Sequence, residues 1–271
     1  MTKEKTKIIV CGALGKMGKV TVSAVLAEKD FKLTSAIIRP KSKHINLDVG
    51  VQCGLSETGI KLTDDLNEAI SRSKPDVIVE FTEPEAAFQI TKTALNAGIR
   101  AVIGTTGMTK DEINEISEIS NKKKTCAIYA PNFAICAVLG MKFAKEAGKY
   151  FTSSEIIEYH EHKKIDVPSG TSLKTVDIMS ENRNKFHKSQ INSRELLLGA
   201  RGGAHESNIH IHSVRLPAVV SHQETIMGLE GQILNLRYDI YDYSALAPGI
   251  ILAIKKIMDI DHFVYGLEKI L

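Results

Sequence analysis

The 271-residue sequence has only four cysteines, no long apolar run and no marked excess of charge of one sign. The cysteines lack the paired spacing of a zinc site, so we expect reduced thiols and no disulfide framework. A helix that crosses a bilayer needs roughly 18 or more consecutive apolar residues, and every apolar run here is shorter. We therefore expect neither a membrane protein nor a small secreted scaffold.

The charged residues are nearly balanced. Lysine and arginine number 35 against 32 aspartates and glutamates, and the net charge of +3 comes from side chains that are well mixed along the chain. Nucleic-acid-binding proteins concentrate their cations in a patch or stripe, so we expect no nucleic-acid partner. The first residues lead into a strand without a signal-peptide cleavage pattern. We expect a globular, cytoplasmic protein that acts on small molecules.

The amino-terminal pattern is typical of a dinucleotide site. A short apolar strand at residues 7–11 precedes a glycine loop at 12–18, and a helix is predicted over 19–28. Glycines permit the tight turn and close approach of a pyrophosphate, and the helix N-terminus faces the phosphates. The spacing is G-x-x-G-x-x-G, which departs from the usual G-x-G-x-x-G. A plain strand-to-helix turn is the alternative. The predicted cofactor-binding residues of this loop are Gly12, Ala13, Leu14, Gly15, Lys16 and Met17.

The end of the second strand, residues 33–38, bears on the choice of cofactor. NAD-dependent enzymes commonly have an acidic residue here that binds the ribose hydroxyls, whereas this chain has Ile38 and Arg39. Arg39, with Lys41 and Lys43 nearby, can neutralise a 2′-phosphate. These residues favour NADPH over NADH. The alternative is that Arg39 lies in a solvated loop and either cofactor is used.

Further strands alternate with helices, which is typical of a parallel sheet. Strands are predicted at 76–82, 101–107 and 125–129, with helices near 84–97 and 109–121. Ligands of such sheets lie at the carboxyl ends of the strands. The alternative for each strand-end residue is an ordinary capped strand. The strand-end residues predicted to contact the cofactor are Phe81, Thr82, Gly104, Thr105, Thr106, Ala130, Pro131, Asn132 and Phe133.

The pattern changes after a helix near 135–148. Strands rich in isoleucine, valine, histidine and tyrosine occupy 151–243, interrupted by a polar segment at 180–193, and predict an α+β domain with an open mixed sheet. The first domain is predicted to be α/β, with a Rossmann-like parallel sheet, and a last helix at 250–258 is expected to pack on it. The predicted domains are residues 1–133 with 245–271 for dinucleotide binding, and 134–244 for substrate binding and oligomerisation.

Residues 158–172 combine titratable side chains with a loop suited to an anion. His160 lies on a predicted strand, and Lys164 lies between that strand and a predicted helix that starts at the Pro-Ser-Gly-Thr sequence of 168–171. A helix start exposes backbone N–H groups, Gly170 permits close approach of a ligand, and Ser169 and Thr171 add hydroxyl donors. We predict that these three residues bind a substrate carboxylate.

These motifs resemble those of the dihydrodipicolinate reductase family over essentially the whole chain. The resemblance rests on the glycine loop, Gly-Thr-Thr-Gly at 104–107, Ala-Pro-Asn-Phe at 130–133 and, above all, E-x-H-x-x-x-K-x-D-x-P-S-G-T at 158–171. It implies reduction of a cyclic imine dicarboxylate by NADH or NADPH, giving tetrahydrodipicolinate for lysine biosynthesis, and it implies a homotetramer. By the same resemblance His160 is a catalytic acid/base, Lys164 donates a proton, and Gly170 and Thr171 bind the substrate carboxylate.

The sequence departs from the family pattern at two positions. Glu161 stands where the family usually has a second histidine, and Tyr243 stands where it tends to have an arginine. A carboxylate at position 161 would repel substrate carboxylates. Either Glu161 points away and His162 or Lys163 covers the role of the missing histidine, or substrate binding is weaker or rearranged, so we assign no role to Glu161. Arg215 and Arg237 are the two candidates to replace the missing arginine.

Two other functions remain open at this point. One is another nicotinamide-dependent dehydrogenase of the same two-domain plan, for which Cys136 would be the thiol nucleophile; its apolar neighbours predict a buried residue instead. The other is a dinucleotide-binding sensor without catalysis, which would be expected to lose His160 or Lys164. No metal is expected, because the paired histidines at 160, 162 and at 210, 212 lack a third ligand at suitable spacing.

Overall fold

The computed structural model describes residues 4–181, 186–187, 194–217 and 219–271. Much of the polar segment at 180–193 lies outside the described residues. Two compact units are present, Met1–Ala134 with Leu246–Leu271, and Ile135–Ala245. Within the described ranges, none of the helices has the length and apolar character that a membrane span requires.

The secondary structure alternates regularly in the first half of the chain. The strands are β1 (Thr6–Cys11), β2 (Phe31–Ile37), β3 (Leu62–Thr63), β4 (Val77–Glu80), β5 (Arg100–Ile103), β6 (Ala127–Tyr129), β7 (Ser153–Glu161), β8 (Gly203–Ala204), β9 (His210–Leu216), β10 (Ser221–Leu229), β11 (Gln232–Ile240) and β12 (Val264–Tyr265). The helices are α1 (Lys16–Ala27), α2 (Val49–Gln52), α3 (Leu66–Ser73), α4 (Pro84–Asn96), α5 (Lys110–Lys123), α6 (Ile135–Ala147), α7 (Gly170–Ser180) and α8 (Ala247–Lys256). Short 3-10 segments follow at Tyr243–Leu246, Ile257–Asp259 and Leu267–Lys269.

The first unit contains a parallel sheet in the order β12-β6-β5-β4-β1-β2-β3. Its central strands are mainly apolar, and Ile8, Ile9 and Val10 are fully buried, as expected when helices cover both faces of a sheet. The chain runs from β1 outward to β2 and β3 and then returns to β4 on the other side of β1. This reversal of strand order opens a crevice at the carboxyl ends of β1 and β4, where ligands of such sheets bind.

The second unit contains a mixed sheet in the order β11-β10-β7-β9-β8. Strands β7 and β9 are parallel, and the other pairs are antiparallel. Ile156 and Met227 pack with Val176 and Met179 of α7 and with Ala144 of α6, so the two helices cover one face of the sheet. The predicted combination of a parallel Rossmann-like sheet with a second, mixed sheet is confirmed.

Several boundaries differ from the sequence prediction for identifiable reasons. Helix α1 begins at Lys16, inside the predicted loop, because Gly15 already serves as its N-cap. The strand predicted over 101–107 ends at Ile103, before the glycine at 104. Strands β3 and β12 and helices α2 and α3 have no counterpart in the prediction, because they are short and most depend on neighbours distant in sequence.

Two glycines show why α1 and the loop before it have this shape. Gly12 has a φ of +74°, and a Cβ there would lie 2.2 Å from the carbonyl oxygen of Phe81. Gly18 lies in α1, and a Cβ there would lie 2.0 Å from the carbonyl oxygen of Gly12. The backbones of the loop, α1 and the end of β4 therefore lie so close to one another that only glycine fits at positions 12 and 18.

We expect Gly18→Ala to destabilise the protein although alanine is the better helix former. Overpacking against the backbone of Gly12 costs about 1–3 kcal/mol, which lowers Tm by roughly 2–10 °C for a protein of this size. Gly170→Ala is the matched control, because a Cβ in the first turn of α7 would meet no atom within 4 Å. Its Tm should be unchanged or slightly higher in thermal unfolding. An equal fall in both variants would contradict the packing argument.

Candidate active site

The glycine loop has the shape of a phosphate cradle. Gly12 and Ala13 donate backbone hydrogen bonds of 2.9 and 3.1 Å to the carbonyl oxygen of Ile37, which fixes the loop against the end of β2. Gly15 is the exposed N-cap of α1; no side chain in the described part of the chain caps this helix, and its first turn contains no acidic residue. These features suit an anion, since first-turn N–H groups and the helix dipole both favour negative charge.

The remaining loop residues differ in what they can offer a ligand. Ala13 is fully buried, so only its backbone is available, whereas Lys16 is exposed and Leu14 and Met17 are half-buried. Arg39 is exposed two residues after Ile37, whose carbonyl holds the loop. A guanidinium next to the loop and the end of β2 fits the position of a phosphate on the adenosine ribose.

The ends of β4, β5 and β6 come together around Phe81. The Phe81 ring packs edge-to-face on Phe133, with 5.6 Å between centroids, and a Cβ on Gly104 would lie 2.0 Å from the Phe81 ring. The Thr105 hydroxyl donates a 3.0 Å hydrogen bond to the carbonyl oxygen of Thr82. The structure thus brings five of the predicted cofactor-binding residues into one cluster.

The other strand-end residues differ in burial and in hydrogen bonding. Asn132 accepts a 2.8 Å hydrogen bond from the backbone N–H of Ala134, which shapes the turn before α6. Ala130 is fully buried and donates its N–H to Ile103, whereas Thr106 and Pro131 are exposed. Ala130 can therefore contribute only backbone, and the exposed pair can contribute side chains.

Glu80 is a residue of this region that the sequence analysis missed. Its side chain is fully buried at the end of β4; Oε1 accepts from the backbone N–H and hydroxyl of Thr82, and Oε2 has no hydrogen-bond partner among the described residues. Burial raises the pKa of this carboxyl, although the hydrogen bonds from Thr82 oppose the shift. A charged residue ending an apolar strand was the available signal. Glu80 helps to fix the loop that carries Phe81 and Thr82.

In the second unit, His160 lies near the carboxyl end of β7 with both ring nitrogens in contact. Nδ1 contacts the carboxylate of Glu158, and Nε2 lies 3.1 Å from the hydroxyl oxygen of Ser221 on β10. Glu158 also accepts a 2.9 Å hydrogen bond from Arg215 on β9. His160 thus contacts residues of β7 and β10, Arg215 of β9 binds its partner Glu158, and the His160 side chain keeps 13% of its surface exposed.

Lys164 lies in the loop after β7. Its ammonium nitrogen is 2.7 and 2.8 Å from the two carboxylate oxygens of Asp166. Asp166 in turn accepts a 2.9 Å hydrogen bond at its backbone carbonyl from Arg215, the same arginine that binds Glu158. The arginine therefore connects the strand that carries His160 with the loop that carries Lys164.

The predicted anion loop begins α7, and its three residues have different surroundings. Ser169 is buried and its hydroxyl caps the helix by accepting from the N–H of Ser172 at 3.2 Å. Ser172 donates a 3.0 Å hydrogen bond to Gln223 on β10, so the cap is anchored to the sheet. Gly170 is exposed, with open space where a Cβ would lie, and Thr171 is partly exposed. The hydroxyl of Ser169 is occupied by the cap, while Gly170 and Thr171 are accessible to a ligand.

The two departures from the family pattern meet in space. The Tyr243 hydroxyl donates a 3.3 Å hydrogen bond to Oε1 of Glu161. Of the candidates to replace the missing arginine, Arg215 lies in the His160 cluster, whereas Arg237 pairs with Asp239 at 3.0 Å on β11. Arg215 is the arginine whose contacts lead to both His160 and Lys164.

The histidine pair on β9 and Cys136 were the other candidates for metal binding and for nucleophilic chemistry. His212 lies 2.7 Å from Glu155, His210 lies 2.8 Å from the carbonyl oxygen of Arg201, and in the described part of the chain no three potential ligands converge to hold a metal. Cys136 is exposed in the first turn of α6, so the expectation of a buried residue was wrong. Its sulfur is nevertheless desolvated enough to raise the pKa of the thiol, which disfavours the thiolate that a nucleophile requires.

Comparison with known proteins gives consistent matches along the chain. The models for the N-terminus and the C-terminus of dihydrodipicolinate reductase match residues 6–133 and 136–271. A 4-hydroxy-tetrahydrodipicolinate reductase from Syntrophomonas wolfei is 42% identical, with 99% of this chain and 100% of the relative aligned. A protein of the same name from Listeria welshimeri is 44% identical, with 98% and 99% aligned.

Solved structures agree with these relatives. A dipicolinate-bound dihydrodipicolinate reductase from Paenisporosarcina sp. TG-14 is 36% identical, superposes with a TM-score of 0.88, and covers 98% of this chain and 100% of its own. An amine dehydrogenase from Mycobacterium smegmatis superposes with a TM-score of 0.68 at 12% identity, covering 98% and 96% of the two chains. The latter likeness concerns the fold alone.

Proposed function

The chain belongs to the dihydrodipicolinate reductase family, and we propose that it carries out the reaction of that family with His160 and Lys164 as the catalytic residues. It is a nicotinamide-dependent oxidoreductase, a 4-hydroxy-tetrahydrodipicolinate reductase that forms tetrahydrodipicolinate in diaminopimelate and lysine biosynthesis. The observation that carries the assignment of catalytic residues is the cluster in which Glu158, Arg215 and Asp166 hold His160 and Lys164.

The cofactor fits the first unit. The loop of Gly12 to Met17 would hold the pyrophosphate, since the N-cap of α1 is a glycine and no described side chain caps the N–H groups of its first turn. The cluster around Phe81 would lie against the nicotinamide ring, with Thr82, Gly104, Thr105 and Phe133 beside it. When bound, the reduced nicotinamide supplies the hydride. The residues of the first unit hold and orient it.

The second unit supplies cations and proton-transfer groups for a dicarboxylate substrate. The ammonium of Lys164 and the start of α7, where Gly170 is exposed and Thr171 is partly exposed, would attract the carboxylates. A substrate carboxylate that reaches Lys164 replaces Asp166 as its partner. Hydride addition leaves electron density on the substrate that must be protonated, and Lys164 is placed in this scheme as the donor and His160 as the acid/base.

We propose NADPH as the preferred cofactor. Ile38 offers no acceptor for ribose hydroxyls, whereas Arg39 is exposed beside the fixed end of β2 and can pair with a 2′-phosphate. Lys41 and Lys43, which are also exposed, add positive charge in the same segment. The preference follows from charge complementarity, and it should weaken as salt concentration rises.

We expect rapid oxidation of reduced nicotinamide when the cyclic imine is formed in the cuvette from pyruvate and aspartate semialdehyde by its synthase. The loss of absorbance should depend on that synthase, and kcat/KM should be higher with NADPH than with NADH because Arg39 pairs with the additional phosphate.

Arg39→Ser tests the cause of this preference. It should lower kcat/KM for NADPH and leave that for NADH within about twofold, as a lost ion pair affects only the phosphorylated cofactor. A preference for NADH in the unmodified enzyme would refute the role of Arg39. Absence of turnover with both cofactors, in folded protein that binds either one, would favour a sensor or another substrate.

Lys164→Ala and His160→Gln should each lower kcat by roughly 10²–10⁴-fold, the usual contribution of a general acid or base. Lys163→Ala and His162→Gln are matched controls, because both residues are exposed neighbours in the same segment. The controls should keep kcat within about twofold, and all four proteins should unfold at a similar temperature. Full activity of either Lys164→Ala or His160→Gln would remove that residue from the mechanism.

We also propose that the second unit assembles the enzyme into a cytoplasmic homotetramer. The face of its sheet opposite to α6 and α7 carries Ile157, Tyr159 and Ile233, and Ile233 is 71% exposed. In cell fractionation followed by sedimentation, the protein should occur in the cytosol at four times its 29.8 kDa chain mass. Ile233→Glu should reduce that mass because it places a charge in the interface. A monomeric mass would contradict the proposed tetramer, and recovery outside the cytosol would contradict the proposed location.

A further inference from the structure

Strand β7 carries two arrangements in which one glutamate binds an arginine and a histidine. Glu158 contacts Arg215 and His160, while Glu155 contacts Arg201 and, at 2.7 Å, His212. The two differ in burial. Glu158 is fully buried, whereas the side chain of Glu155 is 34% exposed. The strand therefore contains a fully buried arrangement at His160 and a second one, centred on Glu155 on the opposite face of the sheet, which serves as an internal control.

We propose that Glu158 is a positioning residue that holds Nδ1 of His160 as a hydrogen-bond donor and so makes Nε2 the nitrogen that exchanges protons during reduction. This inference rests on the proposed catalytic role of His160. Glu158 lies beneath the histidine on the covered face of the sheet, so it acts through the imidazole and does not touch the substrate.

The chemistry of the carboxylate fixes the orientation of the imidazole. An ionised carboxylate can only accept hydrogen bonds, so the ring nitrogen that faces it must carry a proton. Burial alone would raise the pKa of Glu158, but hydrogen bonds from His160, Arg215 and Ser213 outweigh it and lower that pKa to about 2. The carboxylate is therefore ionised at neutral pH.

The surroundings of the other nitrogen suit proton exchange. Nε2 lies 3.1 Å from the hydroxyl oxygen of Ser221. A serine hydroxyl can donate to a neutral Nε2 or accept from a protonated one, so this contact tolerates both states of the ring. Glu158 therefore keeps a proton on Nδ1, whereas Ser221 allows Nε2 to gain and lose one.

Arg215 extends this arrangement to the lysine. It donates to Glu158 and to the backbone carbonyl of Asp166, both at 2.9 Å, and the Asp166 carboxylate binds Lys164. The charged groups near His160 are therefore Glu158, Arg215, Asp166 and Lys164, with Glu161 next in sequence. The buried carboxylate and arginine together determine where the imidazole and the ammonium lie relative to each other.

Glu158→Gln separates positioning from simple filling of space. The amide oxygen can accept from Arg215, which is always a donor, and the amide nitrogen then faces Nδ1 of His160 as a second donor. To accept this hydrogen bond, a neutral imidazole must leave Nδ1 unprotonated and carry its proton on Nε2. The variant should therefore change the tautomer of the histidine with almost no change in volume.

The ring nitrogens of His160 can be observed by two-bond proton–nitrogen NMR of protein labelled at histidine. We expect the Nδ1–H tautomer of the neutral ring in the unmodified protein and the Nε2–H tautomer in Glu158→Gln. Turnover should fall by at least 100-fold in kcat, with KM changed by less than about threefold, because the affected group acts in proton transfer. Glu158→Asp, which keeps an acceptor-only carboxylate, should retain the Nδ1–H form and part of the activity.

Glu155→Gln is the matched control on the same strand, and it should leave both the His160 spectrum and kcat unchanged. An Nε2–H tautomer in the unmodified protein would overturn the proposal. This test uses only the spectrum of the unmodified protein, so it holds even if a variant does not fold. An unchanged tautomer with unchanged kcat in Glu158→Gln would also overturn it. If the unmodified enzyme lacked turnover, the proposed function would fail, while the tautomer comparison would still test the role of Glu158.

Discussion

The organisation of the second unit depends on one requirement, that the buried carboxylate of Glu158 have partners. A lone ionised carboxylate in this environment would be very costly, and removing one member of a buried pair typically costs about 3–5 kcal/mol. Arg215 satisfies one oxygen from β9, and His160 contacts the other from β7 itself. Because Arg215 also binds the backbone of Asp166, the loop that carries Lys164 is fixed by the same arrangement.

The first unit is determined by a different constraint, which is close contact between backbones. Gly12 and Gly18 let the loop, α1 and the end of β4 approach to distances that a side chain would prevent, and Gly104 makes room for the ring of Phe81. Glu80, buried beneath the same strand end, holds Thr82 through its carboxylate. The result is a rigid edge of the sheet with an uncapped helix start, and this combination suits a pyrophosphate and a flat ring.

The sequence predicted the parts of this architecture that depend on local chemistry. The glycine loop, the alternation of strands and helices and the helix beginning near Gly170 follow from periodicity and from capping residues, and they required no knowledge of distant contacts. The burial of Glu80 and the exposure of Cys136 could not be predicted, because each depends on which elements pack nearby. Strand β12 joins the sheet beside β6, more than 130 residues earlier in the chain, and nothing local indicated it.

Dependence on distant contacts also explains why the sequence alone predicted no role for Glu161 and Tyr243. Each departs from the family pattern, and position by position each removes a positive charge from a site that binds a dicarboxylate. In the structure the tyrosine hydroxyl donates to the glutamate, so the two changes form one contact. The tyrosine hydroxyl contributes a hydrogen-bond donor to Glu161 but, unlike an arginine side chain, it carries no positive charge. On the proposed function, attraction of the substrate would fall more heavily on Lys164, on Arg215 and on the start of α7. Glu158 binds Arg215, whereas the start of α7 is anchored to β10 through Ser172 and Gln223.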